Sequence, residues 1–573
     1  MYLRAKLDTT FLKILFIIFI TFIASIVEAK ASSIIVNIDI YGSTYRAVLI
    51  ENTGLKHKVS GIEASSPAKH YKGFVIGFDD SWVRVSNIEG KWQGAVSIYS
   101  SLYFIEDDTL STESALGSSS GMTALPANEM EEMMGTCGSG DDDHSMLSHM
   151  PIQSSASTSP VSPLAATFAE ICADEVDGIC IIAEVEIAFD DQFEALFGAL
   201  ANDQATSIIN IVDGHYVNDL KISIDTITVE MGTTIFDPTT DAGLLLDDIE
   251  TKKNAGMIPF LKNNNALTHL VTARNFNGST LGVAYLGSVC RSDGFSTGTS
   301  SLFIDGGVPN IPLSAIVVAH ELAHNLGSDH DGVGVNVACP INTNIMSPGL
   351  GPGISNFSSC SADSIQAVIS GLANPELCMD FPADVSIDEN TGNNGVLNAN
   401  LEFTSSHTVS LQNGYLAVNQ LQISGTIDLA MGRFVSVLAN GQTCTLSANG
   451  DSYSCAIVNP VSSTALMTTV RVIDANTDVE FTQSAIEQTN DVQDVTQSNN
   501  SIVNSFSITN GDYVSNTAST VPDSTDFPDN ISDTGNNQSN NEDEVGGGMI
   551  SPYFIIMVLV CWIACRREVT RVC

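Results

Sequence analysis

The stretch His320-Glu321-Leu322-Ala323-His324-Asn325-Leu326-Gly327-Ser328-Asp329-His330-Asp331 constrains this chain more than any other. A helix that Ser314 can cap and that runs through Leu326 puts His320 and His324 on one face, a turn apart. Glu321 then lies beside the pair, where its carboxylate can reach a metal-bound water without being a ligand. Gly327 permits the left-handed turn that ends the helix, and that turn swings His330 back as a third nitrogen. Three neutral imidazoles with a fourth position open are the donor set of a catalytic zinc rather than a structural one. Such an ion lowers the pKa of a bound water from 15.7 toward about 7. Glu321 is placed to take that water's proton and pass it to a leaving amine.

A bare His-Glu-x-x-His is common by chance, and then marks only a helix with two solvated or core histidines. The longer form, with Gly327 and His330 in register, is much rarer. Downstream, Asn344-Ile345-Met346-Ser347-Pro348 forms a tight turn around a methionine that alone would read as core filler. Together the two parts resemble the metzincin pattern, in which the extended histidine motif is followed by a Met-turn. Asp331, directly after the third histidine, is similar to the mark of the reprolysin branch, which includes the ADAM proteases and the snake-venom metalloproteases. Leu281 to Cys290 resembles that family's upper-rim segment, the edge strand against which substrate lies extended. Phe357-Ser358-Ser359-Cys360-Ser361 and Cys378 resemble its closing segment. His70-Tyr71-Lys72-Gly73, Asp80-Ser81-Trp82-Val83 and Ser86 look like its propeptide. The resemblance implies a zinc endopeptidase with an α/β catalytic domain, a mixed twisted sheet plus helices, over residues 171–380. It makes His320, His324 and His330 the ligands, Glu321 the catalytic base, Met346 the Met-turn residue and Asp331 a support behind the site.

The chain has twelve cysteines, of which Cys561, Cys565 and Cys573 lie in the tail. The resemblance implies the pairs Cys290–Cys378 and Cys339–Cys360. Cys444 and Cys455 flank a turn and could staple a hairpin, and Cys172 and Cys180 could close a small loop; connectivity does not follow from sequence alone. Cys137 is left over, in Gly135-Thr136-Cys137-Gly138. A thiolate from a prosegment can take the fourth zinc position and exclude water, and the family's propeptides carry a cysteine followed by glycine. The rest of their motif is absent, so an unpaired or intermolecular cysteine stands beside the zymogen-switch reading. No Lys or Arg occurs between Lys91 and Lys221, which removes a basic maturation site. Self-cleavage, or a protease that ignores basic residues, is expected instead. Calcium is common in reprolysins, and Glu184 or Glu186 could supply one carboxylate. The family's helical Asp position falls here at Asn265 or Ala266, so calcium is not carried over.

The 573 residues carry 66 acidic against 22 basic side chains, a net charge of −44. That argues against nucleic acid as a partner, because phosphate binding needs clustered Lys and Arg. At 43% hydrophobic residues the chain can bury real cores. Residues 1–31 read as a signal peptide: Arg4, Lys6 and Lys13, an apolar run, then Ala29-Lys30-Ala31 as a cleavage triplet. At the far end, Gly546-Gly547-Gly548, a short apolar run and Arg566-Arg567 resemble the Gly-Gly C-terminal sorting signals of Gram-negative bacteria. That resemblance implies transient membrane association and a rhomboid-type processing protease. The other reading is a permanent tail anchor, for which about 20 apolar residues would be usual. Either way the bulk of the chain is exported to the exterior or the cell surface.

Between the ends, residues 32–170 read as a β-rich prodomain (alternation over 34–106) and a structureless linker (107–170). Residues 171–380 alternate strand and helix signals, with a strand over 180–187, an amphipathic helix over 191–212 and another over 247–261. Residues 381–485 show short alternating runs suited to a β-sandwich, and 486–545 read as a disordered Asn/Ser/Thr/Asp-rich stalk. The segment 381–485 lacks the cysteine density of a disintegrin domain, so no integrin binding is expected. The function expected is a zinc-dependent endopeptidase acting on extracellular proteins. The alternative is a surface adhesin carrying an inactive protease-like domain.

Overall fold

The computed structural model describes residues 33–52, 67–106, 121–126, 135–137, 166–305, 307–350, 354, 356–390, 397–474, 478–509 and 512–515. The expected signal peptide and C-terminal sorting segment lie outside these. Among the described residues no helix is long and apolar enough to cross a membrane.

The N-terminal strands alternate buried and exposed residues, as in Ile34–Ile40, so each offers one apolar face that needs covering. Seven of them, from Ile34–Ile40 to Gly121–Pro126, solve this by closing into a barrel, in which the first strand pairs in parallel with the last. Val36, Ile38, Leu49, Val85, Val96 and Ile105 fill its interior. The seventh strand falls inside the expected 107–170 linker, a correction: Met122 and Ala124 are buried and complete the closure.

In the region expected to be catalytic, residues 171–380, Ile222–Thr233, Ile181–Asp190, Leu267–Thr272 and Thr297–Ser301 run parallel in that order. The last pairs antiparallel with Thr280–Ala284, which makes the sheet mixed. Leu267–Thr272 and Thr297–Ser301 are buried along their whole length, as parallel strands covered on both faces must be. Helices Ala201–Leu220 and Ala242–Asn254 make the crossovers. The helix expected over 191–212 is two: Asp191–Phe197 stops where Gly198 takes a φ of 56°, and Ala201–Leu220 follows. The helix expected over 247–261 lies earlier, because Asp241 caps it by accepting from the Leu244 amide.

The helix Ile311–Leu326 is buried at every position, the pattern of a helix with protein on all sides. Its N-cap is Asn310, not Ser314. The Asn310 Oδ1 accepts from the Leu313 amide at 2.9 Å, and Pro312 sits in the first turn, where no intrahelical donor is lost. Ser314 instead lies inside the helix, where its hydroxyl donates to the Asn310 carbonyl and accepts from the Phe303 amide.

Strand Met379–Glu389 leaves the catalytic sheet, pairing first with Ile181–Asp190 and then with Glu402–Asn413. It leads into two groups of antiparallel strands with one apolar core between them, including Ile387, Phe403, Val470, Phe481 and Phe506. These strands do not end at residue 485. Val492–Asp494, Ser501–Thr509 and Asp512–Ser515 continue the sheets, which corrects the disordered stalk expected from 486 over these residues. Buried Ile502, Phe506 and Ile508 supply an alternating apolar face within an otherwise polar composition.

Candidate metal centre and cleft

The spacing of the histidine motif does what helical geometry requires of it. His320 and His324 project from one face of Ile311–Leu326, and Gly327 ends the helix at a φ of 110°. A Cβ at Gly327 would lie 2.3 Å from Val368 Cγ2, so both backbone conformation and space exclude a side chain there. The chain then returns His330 to the pair. The three Nε2 atoms form a triangle with sides of 3.1, 3.1 and 3.2 Å.

That triangle is one that a single ion could share. His320 Nδ1 lies 2.6 Å from the Ile345 carbonyl and His324 Nδ1 2.7 Å from the Ser328 carbonyl. A carbonyl only accepts, so both Nδ1 atoms carry the proton and both Nε2 atoms turn bare lone pairs toward the centre. Burial, and then the neighbouring imidazoles, push all three histidines down to about 3. They are therefore neutral donors at ordinary pH, which is the state a metal needs. Among the described residues, these three are the only group of three or more His, Cys, Asp and Glu side chains able to share one ion.

Glu321 and the residues packed around it come from different elements. Glu321 is 1% exposed. Its carboxylate packs against Gly282 of the strand Thr280–Ala284, where a Cβ would lie 2.6 Å from both Glu321 Cγ and Oε1. The lack of a side chain at 282 thus makes room for the carboxylate. Asn325 ties the same helix to the loop after that strand, its Nδ2 donating to the Tyr285 and Thr297 carbonyls, both at 2.9 Å. Tyr216, from Ala201–Leu220, donates to the Ala319 carbonyl at 2.8 Å, one residue before His320.

Asp331 is wholly buried behind the third histidine. Its amide donates to the Met346 carbonyl at 2.8 Å, and its Oδ1 accepts from Ser358 at 2.6 Å and Ser361 at 3.3 Å. One aspartate therefore joins the His330 segment to the Met-turn and to helix Ser359–Ser370. Met346 is fully buried, and the Ser347 amide closes its turn on the Asn344 carbonyl at 3.0 Å.

All four expected disulfides are present: Cys172–Cys180, Cys290–Cys378, Cys339–Cys360 and Cys444–Cys455. The backbone of Cys137 is described and its side chain is not. Gly135–Cys137, expected as linker, is a short strand between Thr280–Ala284 and Gly349–Leu350. It runs parallel to Thr280–Ala284, with Cys137 opposite Gly282, and antiparallel to Gly349–Leu350.

Away from the cleft, Glu184 faces Asn263, not Asn265 or Ala266. The Asn263 Nδ2 donates to the Glu184 carboxylate and, at 2.9 Å, to the Leu377 carbonyl. Burial pushes Glu184 up to about 7 despite that bond, with Asp380 and Asp491 adding to the rise. Glu186 Oε1 accepts from the amides of Lys262 and Asn263 at 2.6 and 2.8 Å. Neither the Gly282–Glu321 packing nor the Asn325 and Tyr216 bonds were signalled in sequence, since each joins positions at least 28 residues apart.

Comparison with known proteins agrees with this geometry over part of the chain. Residues 201–371 match the family model described as Metallo-peptidase family M12B Reprolysin-like. The zinc metalloproteinase-disintegrin-like proteins brevilysin H2a and H2b of Gloydius brevicauda are each 36% identical over 121 residues. The match takes in 21% of this chain and 27% of each relative, so the chain spans about a quarter of the length of those relatives. Among solved structures, catalytically inactive OgpA from Akkermansia muciniphila, in complex with an O-glycopeptide substrate, aligns at 10% identity and a TM-score of 0.21. That alignment covers 56% of this chain and 94% of that one. A biofilm associated protein B domain aligns at 8% and 0.14, over 22% of this chain and 43% of that one. Both scores are too low to bear on the fold.

Proposed function

We propose that this chain is a zinc-dependent endopeptidase of the reprolysin type that hydrolyses extended segments of extracellular proteins. The observation that carries the reading is the triangle of three buried, neutral Nε2 atoms next to a buried glutamate on the same helix. The donor chemistry fits one zinc, held by His320, His324 and His330, which when bound supplies Lewis-acid activation of water and of the scissile carbonyl. The chain's own residues do the rest. Glu321 accepts the proton of the attacking water and delivers it to the departing amine. Once Gly135–Cys137 has left it, the edge of Thr280–Ala284 orients the substrate backbone as an added strand.

In the same reading Gly135–Cys137 holds the precursor latent, because it occupies that edge between the two cleft walls. Cys137 is the residue in register with Gly282, beside Glu321. Four disulfides fit an oxidising exterior, in keeping with export, with the C-terminal segment as a transient membrane tether removed by a rhomboid-type protease.

The test is hydrolysis of casein or gelatin by the matured protein, with and without 1,10-phenanthroline, beside Glu321→Ala. Hydrolysis abolished by either treatment is expected. Equal activity in all samples, or equal inactivity after maturation, would leave the adhesin with an inactive protease-like domain as the better account.

A further inference from the structure

The barrel has two apolar surfaces, and only one belongs to its own core. Trp82, Ala95, Leu102 and Phe104 point away from the barrel interior and are 0–4% exposed, because they share a core with the catalytic sheet and helices. The helix they meet, Ala201–Leu220, carries polar residues that bond to the barrel, although Asp213 also accepts from the Ser223 hydroxyl at 2.8 Å and the Ile224 amide at 3.0 Å. Asn210 is fully buried; its Nδ2 donates to the Tyr71 carbonyl at 3.1 Å, and its Oδ1 accepts from Asn52 at 3.0 Å. Asp213 pairs with Arg84 at 3.2 Å, both side chains about nine-tenths buried. Gln93 and Gln204 bond at 2.7 Å. Gly214 has no room for a Cβ, which would lie 2.6 Å from Arg84 Cγ and 3.1 Å from the Trp82 ring. His215 is fully buried and meets Trp82 edge to face at 4.9 Å.

Such a surface is built to stay closed. Taking the barrel away would put Trp82, Leu102, Phe104 and the helix face they cover into water, and would break the Arg84–Asp213 pair and the Asn210 bonds. It would also loosen the helix whose Tyr216 holds the Ala319 carbonyl beside His320. The segment Gly135–Cys137 is the opposite case, a strand of only three residues.

We propose that the barrel of residues 34–126 is not discarded at maturation but remains as a noncovalent subunit of the active enzyme, docked on Ala201–Leu220, while only the stretch around Gly135–Cys137 departs. The inference deepens the reading above and borrows from it only that the chain is cut between barrel and catalytic region. Retention is read by mass rather than by activity, so the two can fail separately. No cysteine precedes Cys137, so a barrel cut free at 127–134 is held by no disulfide.

The experiment places a site-specific protease sequence within residues 127–134 of the full chain, in a Glu321→Ala background that prevents self-cleavage. After cutting, size-exclusion chromatography at low micromolar concentration reads the assembly. Co-elution of both fragments at the position of the uncut chain is expected. Arg84→Glu sets two carboxylates face to face and is expected to release the barrel, with at least a tenfold loss of affinity, while Arg84→Lys retains it. Where Arg84→Glu fails to fold before cutting, Arg84→Ala takes its place. A wild-type barrel that elutes alone overturns the proposal, as does an Arg84→Glu or Arg84→Ala barrel held as firmly as the wild type.

Discussion

Cys137 stands opposite Gly282 in a parallel pairing, and the Cβ that Gly282 lacks would fall 2.6 Å from the Glu321 carboxylate. A segment from the N-terminal region is thus in backbone register with the wall of the proposed active site. Cys137→Ala should therefore yield a precursor that cleaves casein before processing, whereas the wild-type precursor stays latent. A mutant precursor as silent as the wild type would count against the thiol, leaving the strand alone as the block.

Gly282→Ala tests the wall itself. The added methyl can be accommodated only by moving the Glu321 side chain, since the clash is with that side chain and not with backbone. The variant should fold, keep its metal and lose at least about tenfold in kcat/KM, toward the 10²–10⁴-fold range that a general base supplies. Unchanged kinetics would mean that the carboxylate position is not critical.

Behind the third histidine, Asp331→Ala would leave the Ser358 and Ser361 hydroxyls without their buried acceptor. The expected cost is about 1–3 kcal/mol of stability, visible as a lowered Tm and as weaker metal retention on dialysis. Ser358→Ala should cost a comparable amount, because it removes both the donor to Asp331 and the N-cap that accepts from the Ser361 amide at 3.0 Å.

A pH dependence follows from the strand region beyond the catalytic sheet. Asp494 is 2% exposed and is pushed up to about 8, chiefly by burial and further by Asp384 and Glu487. The folded state then holds a proton that the unfolded state, with an ordinary Asp near 3.9, has released. Its contribution is fully present below about pH 4 and is lost as pH rises toward 8, at up to about 1.4 kcal/mol per pH unit. Denaturant titrations from pH 5 to 8 should show that fall, reduced in Asp384→Asn. A slope identical in the two proteins would contradict the coupling.

The site was more legible than its surroundings, for a physical reason. The histidine motif is a local code: a 3.6-residue period and one left-handed glycine suffice to converge His320, His324 and His330. The supports from Asn325, Tyr216 and Ser358 are tertiary contacts with no periodic signature. The Asn310 cap was missed because Ser314, also a good capping residue, lay nearer the motif. Gly135–Cys137 is too short to show alternation, and it is a strand only because the cleft supplies two partners. Ile502, Phe506 and Ile508 were hidden by polar neighbours that alternate with them on the exposed face.

Metal analysis of the folded, matured protein tests the central claim most directly. One zinc per chain is predicted for the wild type and for Glu321→Ala, with casein hydrolysis in the former alone, and His324→Ala should bind less than a tenth as much under the same dialysis. A wild-type protein that folds with no zinc, or a His324→Ala variant that holds it equally well, would contradict the account.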